Sequence, residues 1–321
     1  MFYTILSTLY LFISIVRADF FTRFNLVQPG FLDITQSNRL NRKYTDCVNK
    51  FNLFDRVDKD NTVPAQLDIP RVTGIWEIVG STAHLKVSLW PNNQVPLEFD
   101  SSFNSTKQER LACALLFFIS KTCIRFVKRE PHHNDYLNIT DSGSICSSDS
   151  VGRKGGAQTV QLPTRDCWKH GTLVHELMHV VGFFHEHQRT DRNEHVVVLY
   201  RKIPPHYRAQ FDTAEQMGYS GHRDVGVYDF SSVMHYGAKL NGVRVLKANF
   251  TTYRYDAFEM NDKMGNRKQP SANDTHKINL LYGCPNQIPT STSVPVQIGI
   301  IEKWITIIIN TKEFQVVLNS D

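Results

Sequence analysis

The sequence predicts an α+β fold in two lobes, a mixed sheet with helices in an upper lobe and an irregular lower lobe. Three observations lead there. Short apolar stretches at residues 90–99, 124–127, 136–139 and 159–162 have the length and side-chain character of strands. Residues 106–120 place Leu111, Ala112, Leu115, Leu116, Phe118 and Ile119 at the recurrence of a helix lying against a sheet. A second apolar helix is expected at 173–181, and beyond Gly182 the pattern loosens.

Taken in order, the chain opens on an apolar run at residues 2–16, too short and too early for a comfortable membrane span. Val16 and Ala18 stand at the two positions a signal peptidase examines, so residues 1–18 read as a secretory signal peptide. The run has no preceding positive charge, and a signal anchor is the alternative. Residues 19–81 are polar and read as irregular, broken by Pro64 and Pro70. The first strand of the main domain is expected at 90–99, and Ser105 or Thr106 can cap the helix that follows, with Glu109 close behind. Residues 148–156, where Gly155 and Gly156 allow close backbone approach, are the candidate for an edge strand of the sheet. A Pro/Ser/Thr-rich linker at 285–295 leads to an apolar stretch at 298–309, which Glu302 and Lys303 interrupt. That stretch suits a strand and not a membrane span.

The helix at 173–181 carries the chemistry. His175 and His179 are four apart and lie on one face, about one turn from each other. Gly182 can take the positive φ that turns the chain away, so that His185 swings back to the same cation. Three neutral imidazoles with an open fourth position describe a catalytic zinc site and not a structural one. Glu176, one residue after the first ligand, points to a neighbouring azimuth. From there it can take a proton from the metal-bound water and later pass it to a leaving amine.

The wider constellation, His175-Glu176 through His179, Gly182 and His185 followed by Ser231-Ser232-Val233-Met234-His235-Tyr236, resembles the metzincin clan with its methionine-containing turn. The wording His185-Glu186-His187-Gln188-Arg189-Thr190-Asp191-Arg192 is similar to the astacin family of secreted zinc metalloendopeptidases. The likeness covers roughly residues 90–284 and includes 121–126, 151–153 and 281–284. It implies a metzincin-type, mostly parallel sheet above a substrate cleft, one Zn2+ per chain on His175, His179 and His185, and Glu176 as catalytic residue. It also implies Tyr236 as a further zinc ligand with a catalytic role, and Glu186 tied through water to the mature amino terminus. Asn193 departs from the family, where many members carry Asp. By the same resemblance residues 19–81, with a boundary extending to about 88, are an inhibitory propeptide, 82–284 the catalytic domain, and 285–321 a linker and short tail. The family's zinc-blocking Phe-x-Gly-Asp motif is absent; Asp55 after Phe54, and Cys47, are the two nearest blockers. One dibasic pair, Arg42-Lys43, precedes the domain.

Six cysteines fit an oxidising compartment but allow fifteen pairings. The resemblance implies Cys123–Cys284 and Cys146–Cys167, leaving Cys47 and Cys113 either bonded to each other or as thiols. Sequons stand at Asn104, Asn138, Asn249 and Asn273, as glycosylation of a secreted surface requires. Net charge is +5 with Lys and Arg scattered, which argues against a nucleic-acid partner. The expected function is therefore a secreted, zymogenic zinc endopeptidase acting on proteins or peptides, without stable membrane insertion. The rival is a catalytically silent zinc-binding module, and a zinc esterase or deacetylase would use similar chemistry with other ligands.

Overall fold

The computed structural model describes residues 34–52, 62–63, 75–79, 82–100, 103–219, 224–285, 305–310 and 313–318. The signal-peptide region and Asp55 lie outside them.

The region before the domain holds regular structure that the sequence reading missed. Helix α1 (Ile34–Asn52) occupies a stretch expected to be irregular. Its stripe of Leu40, Tyr44, Val48 and Phe51, spaced four, four and three apart, is the helix signal, and the surrounding Asn, Arg and Lys residues masked it. Strand β1 (Thr62–Val63) and the hairpin of β2 (Ile75–Val79) and β3 (Thr82–Lys86) follow.

The upper lobe is built on β4 (Gln94–Phe99), α2 (Ser105–Lys121), β5 (Arg125–Lys128), β6 (Tyr136–Thr140), β7 (Ser147–Ser148) and β8 (Ala157–Gln161). The sheet runs β5-β4-β6-β8-β7. The first four strands are parallel and β7 is antiparallel at the edge. Registers such as Val95 opposite Phe126, Leu97 opposite Leu137 and Ile139 opposite Val160 align apolar side chains across the strands.

Asn104 caps α2, its side chain accepting from the Lys107 amide at 2.9 Å, where Ser105 or Thr106 was expected. Residues Leu111 to Ser120 of α2 are all buried, so the helix is enclosed and not merely laid on a sheet. One side meets the sheet; α1 covers another, through the Cys47–Cys113 disulfide and the Val48, Phe51 and Cys113 cluster.

The expected edge at 148–156 is realised only at β7. Beyond Ser148 the chain folds back: Val151 is buried, the Gly152 amide donates to the His179 carbonyl, and Arg153 N donates to Ser88 O. Gly155 and Gly156 have φ of 89° and 67° and turn the chain instead of lining an edge.

Helix α3 (His170–Val180) closes the upper core, with Leu173, Val174, Leu177, Met178 and Val180 all buried. Below it, α4 (Arg192–His195), β9 (Val196–Val198), β10 (Lys239–Leu240), β11 (Val243–Arg244), β12 (Leu246–Ala248) and α5 (Ala257–Lys263) are short pieces joined by 3₁₀ turns. They enclose a second core of Phe211, Tyr228, Phe230, Tyr236, Val245, Leu246 and Met264. Strand β1 pairs in parallel with β10.

Helix α6 (Ala272–Leu281) ends the lobe, capped by Ser271 and Asp274 in a reciprocal box. The bond Cys123–Cys284 joins its end to the start of β5, and Cys146–Cys167 joins the β7 region to the 3₁₀ turn Arg165–Trp168 ahead of α3. The chain divides into two units after Cys284. The second holds a hairpin of β13 (Ile305–Asn310) and β14 (Glu313–Leu318). Among the described residues no helix is long and apolar enough to cross a membrane.

Candidate metal centre

Spacing and one turn bring the three histidines together. His175 and His179 project from the same face of α3, and Gly182, at φ 107°, reverses the chain past its end. His185 then returns to them, and the ligating atoms of the three lie within 4.8 Å of one another. The rings stand 4.7–5.2 Å apart between centroids. All three are buried.

Each imidazole is oriented from behind. His175 Nδ1 meets the Val233 carbonyl at 2.8 Å, His179 Nδ1 the Phe183 carbonyl at 2.7 Å, and His185 Nδ1 the Gln188 side-chain oxygen at 3.0 Å. An Nδ1–H donated to an oxygen fixes the tautomer that presents the Nε2 lone pair to a cation. Three neutral imidazoles so held are a donor set that fits Zn2+. Glu176 is buried beside them, next to His175 on α3.

The methionine turn ties the lobes together. Val233 and Met234 pack in the upper core, whereas Tyr236 belongs to the lower one. Met234 O accepts from the Glu186 amide at 3.0 Å, so the turn also holds the segment after His185. The ring of Tyr236 packs against both His185 (4.3 Å) and His187 (4.2 Å), and its hydroxyl stands 3.4 Å from Gln210 Oε1. Burial pushes His187 well below the usual imidazole range and His235 down to about 4, so both rings are neutral walls.

Several residues that hold this geometry escaped the sequence reading. Gln188 grips His185 and donates to Gln210 O at 3.1 Å. Arg267 donates to the carbonyls of Val233 (2.6 Å) and His235 (3.0 Å), the first of which also receives His175. Asp274 accepts from Ser232 Oγ and, at 2.9 Å, from the Val233 amide. Three residues on, Lys277 pairs with Glu186 Oε1, which also accepts from the Asp229 amide at 2.8 Å. Burial pushes the Glu186 carboxyl up to about 7, against the pull of Lys277 and Arg189. One face of α6 thus grips the methionine turn and the segment carrying His185.

Gly171, in the first turn of α3, makes room for Arg267. A Cβ there would stand 2.0 Å from the Arg267 carbonyl oxygen and 2.2 Å from its carbon. Both are backbone atoms that no rotamer change moves aside. Gly171→Ala is expected to cost about 1–3 kcal/mol or more, as overpacking does, read as a lower urea midpoint.

Of the sequon asparagines, Asn104 is exposed while Asn138, Asn249 and Asn273 are half-buried, Asn138 within the sheet. Asn193 Oδ1 accepts from Arg192 Nε at 2.6 Å.

The fold and this histidine cluster are those of a metzincin. Residues 82–283 match the peptidase-family model Astacin, and the chain belongs to the astacin family. It is 35% identical over 226 residues to zinc metalloproteinase nas-15 of Caenorhabditis elegans, covering 67% of this chain and 37% of that protein. To zinc metalloproteinase nas-4 of the same organism it is 38% identical over 201 residues, 61% of this chain and 59% of the relative. The chain therefore spans less than two thirds of these curated relatives. High choriolytic enzyme 1, a hatching enzyme zinc-protease from Oryzias latipes, has a similar structure. The TM-score is 0.52 at 29% identity, over 62% of this chain and 94% of that one.

Proposed function

We propose that the chain is a secreted zinc-dependent endopeptidase, made as a zymogen, that hydrolyses peptide bonds in protein or peptide substrates. The observation that carries this reading is the convergence of His175, His179 and His185 beside a buried Glu176. Zinc held by the three histidines would supply Lewis acidity, lowering the pKa of water toward ~7 and polarising the scissile carbonyl. Glu176 accepts the proton of the attacking water and returns it to the leaving amine. Tyr236, packed against the imidazoles of His185 and His187, offers its hydroxyl to the oxyanion and stands as a candidate further ligand. The edge strand β7 offers backbone groups to an extended substrate. Disulfides among the six cysteines support an oxidising, extracellular location.

The test is hydrolysis of casein or gelatin by the trimmed protein, with and without a zinc chelator. A folded, zinc-loaded sample that cleaves nothing would leave only the silent zinc-binding module. Tyr236→Phe is expected to keep the metal and lower kcat on the order of 10²-fold, in line with loss of an oxyanion donor. An unchanged kcat removes the tyrosine from the chemistry.

For latency, the pairing of β1 with β10 supports a pre-domain segment that passes three residues beyond Tyr236. A blocking group on such a tether acts at millimolar effective concentration or above. Cys47 does not supply it, because its sulfur is bonded to Cys113. Asp55 remains the proposed blocker: Asp55→Ala should give activity before cleavage, while the wild-type chain from Asp19 stays silent until it is cut ahead of the domain, by about residues 81–88. Full activity of the untrimmed wild type would reject the zymogen.

A further inference from the structure

Among its described residues the N-terminal region holds α1 (Ile34–Asn52) and β1 (Thr62–Val63). Its first part, α1, is built into the domain. Leu40, Val48 and Phe51 are buried, and Tyr44 packs against Phe117 at 6.0 Å between ring centroids. The face they meet on α2 is made by Glu109, Arg110, Cys113 and Phe117, at the four-residue spacing of one helix side. Lys50 pairs with Glu109 at 2.7 Å, and the Arg110 guanidinium lies 4.5 Å from the Phe51 ring centre. Cys47 and Cys113 are bonded across the middle of this contact, with their Cα atoms 5.8 Å apart. Tyr44 also reaches the centre's own helix: its hydroxyl stands 3.1 Å from Nε2 of His170, the first residue of α3.

A segment destined to leave has no need of such a wall. Without α1, Cys113 and Phe117, both fully buried, would face water in the middle of a helix that is otherwise enclosed. We infer that α1 is a permanent part of the mature protein. Cleavage between residues 53 and 88 then yields two chains, a short one carrying α1 and a long one carrying the metal centre, joined by Cys47–Cys113. The removable inhibitory part is confined to the stretch after residue 52. This inference rests on the zymogen reading for the occurrence of the natural cut, but not for the retention of the helix.

Two arms keep these apart. In the first, a specific protease site is inserted after Asp60 of the full chain and cut. The fragment carrying α1 should co-elute with the domain on size exclusion, stay linked in a non-reducing denaturing gel, and separate only with reductant. Release of the fragment without reductant overturns the inference. In the second, the naturally activated protein is sequenced from both amino termini after reduction. Recovery of a short chain containing Cys47 beside one starting between residues 53 and 88 supports the two-chain form. A single long chain, with the short one lost, overturns it. A protein fully active with no cut at all sinks the zymogen reading, while the inserted site still decides whether α1 is retained.

A Cys47→Ser, Cys113→Ser pair measures what the packing does alone. After the engineered cut, α1 should still co-elute with the domain under native conditions but separate in the non-reducing gel. Its loss under native conditions would overturn the packed wall.

Discussion

Replacing Glu176 with glutamine is expected to leave the metal bound and to lower kcat by about 10²- to 10⁴-fold, the usual contribution of a positioned general base. The amide fills the same volume, so the buried side of α3 and the approach of His175 to His179 should not change. What is lost is the capacity to take a proton and hand it on. Turnover of a fluorogenic peptide and zinc per chain, measured on one sample, give the answer. Parallel loss of metal and rate would make Glu176 a structural member of the centre, and an undiminished rate would assign the base elsewhere.

The second large effect lies away from the metal. Lys277→Met should destabilise the protein by about 1–3 kcal/mol, the cost of leaving a buried polar group without its partner. The cost stays in that range because a Glu186 carboxyl already pushed up to about 7 takes up a proton once the ammonium is gone. Lys277 and Glu186 have side chains only 3% and 6% exposed, so water cannot take the place of the lost ammonium. Arg189 Nε, at 3.9 Å from the same carboxylate oxygen, is too far to replace it by a direct hydrogen bond. Adding Glu186→Gln should recover much of the loss, because the amide oxygen can still accept from the Asp229 amide at no charge cost. Urea unfolding of the wild type, the single variant and the double variant reads this out. Equal instability of the two variants would show that the lysine acts by packing, not by charge.

The parts of this centre that were legible in the sequence share one property: they are local. The four-residue spacing of His175 and His179 maps directly onto a helix face, and the turn at Gly182 follows from its freedom at positive φ. The sheet was legible for the same reason, since its strands are short apolar runs, and the observed parallel order matches what the family likeness implied. Residues that act at long range left no such mark. Lys277 meets a partner 91 positions away and Arg267 one 34 positions away, and each is a common residue type in an ordinary setting. The lower lobe resisted because 3₁₀ turns and two- or three-residue strands carry no periodicity to detect. Helix α1 is the instructive miss: its apolar stripe was present at Leu40, Tyr44, Val48 and Phe51, but composition alone described the region as polar.

The chain has four tryptophans, and two of them bracket the helix that carries His175 and His179. Trp168 ends the 3₁₀ turn just before α3, and its indole nitrogen donates to Leu162 O at 2.9 Å. Trp90 lies at the far end, donating to Val180 O at 2.8 Å. Both indoles are nearly inaccessible to water. An indole in such surroundings fluoresces at shorter wavelength than one in solvent, and fraying of either end of α3 would wet one of them. The protein therefore carries its own optical gauge of the metal-binding helix, and a red shift in emission on chelation would register loosening of that helix without any added dye or label.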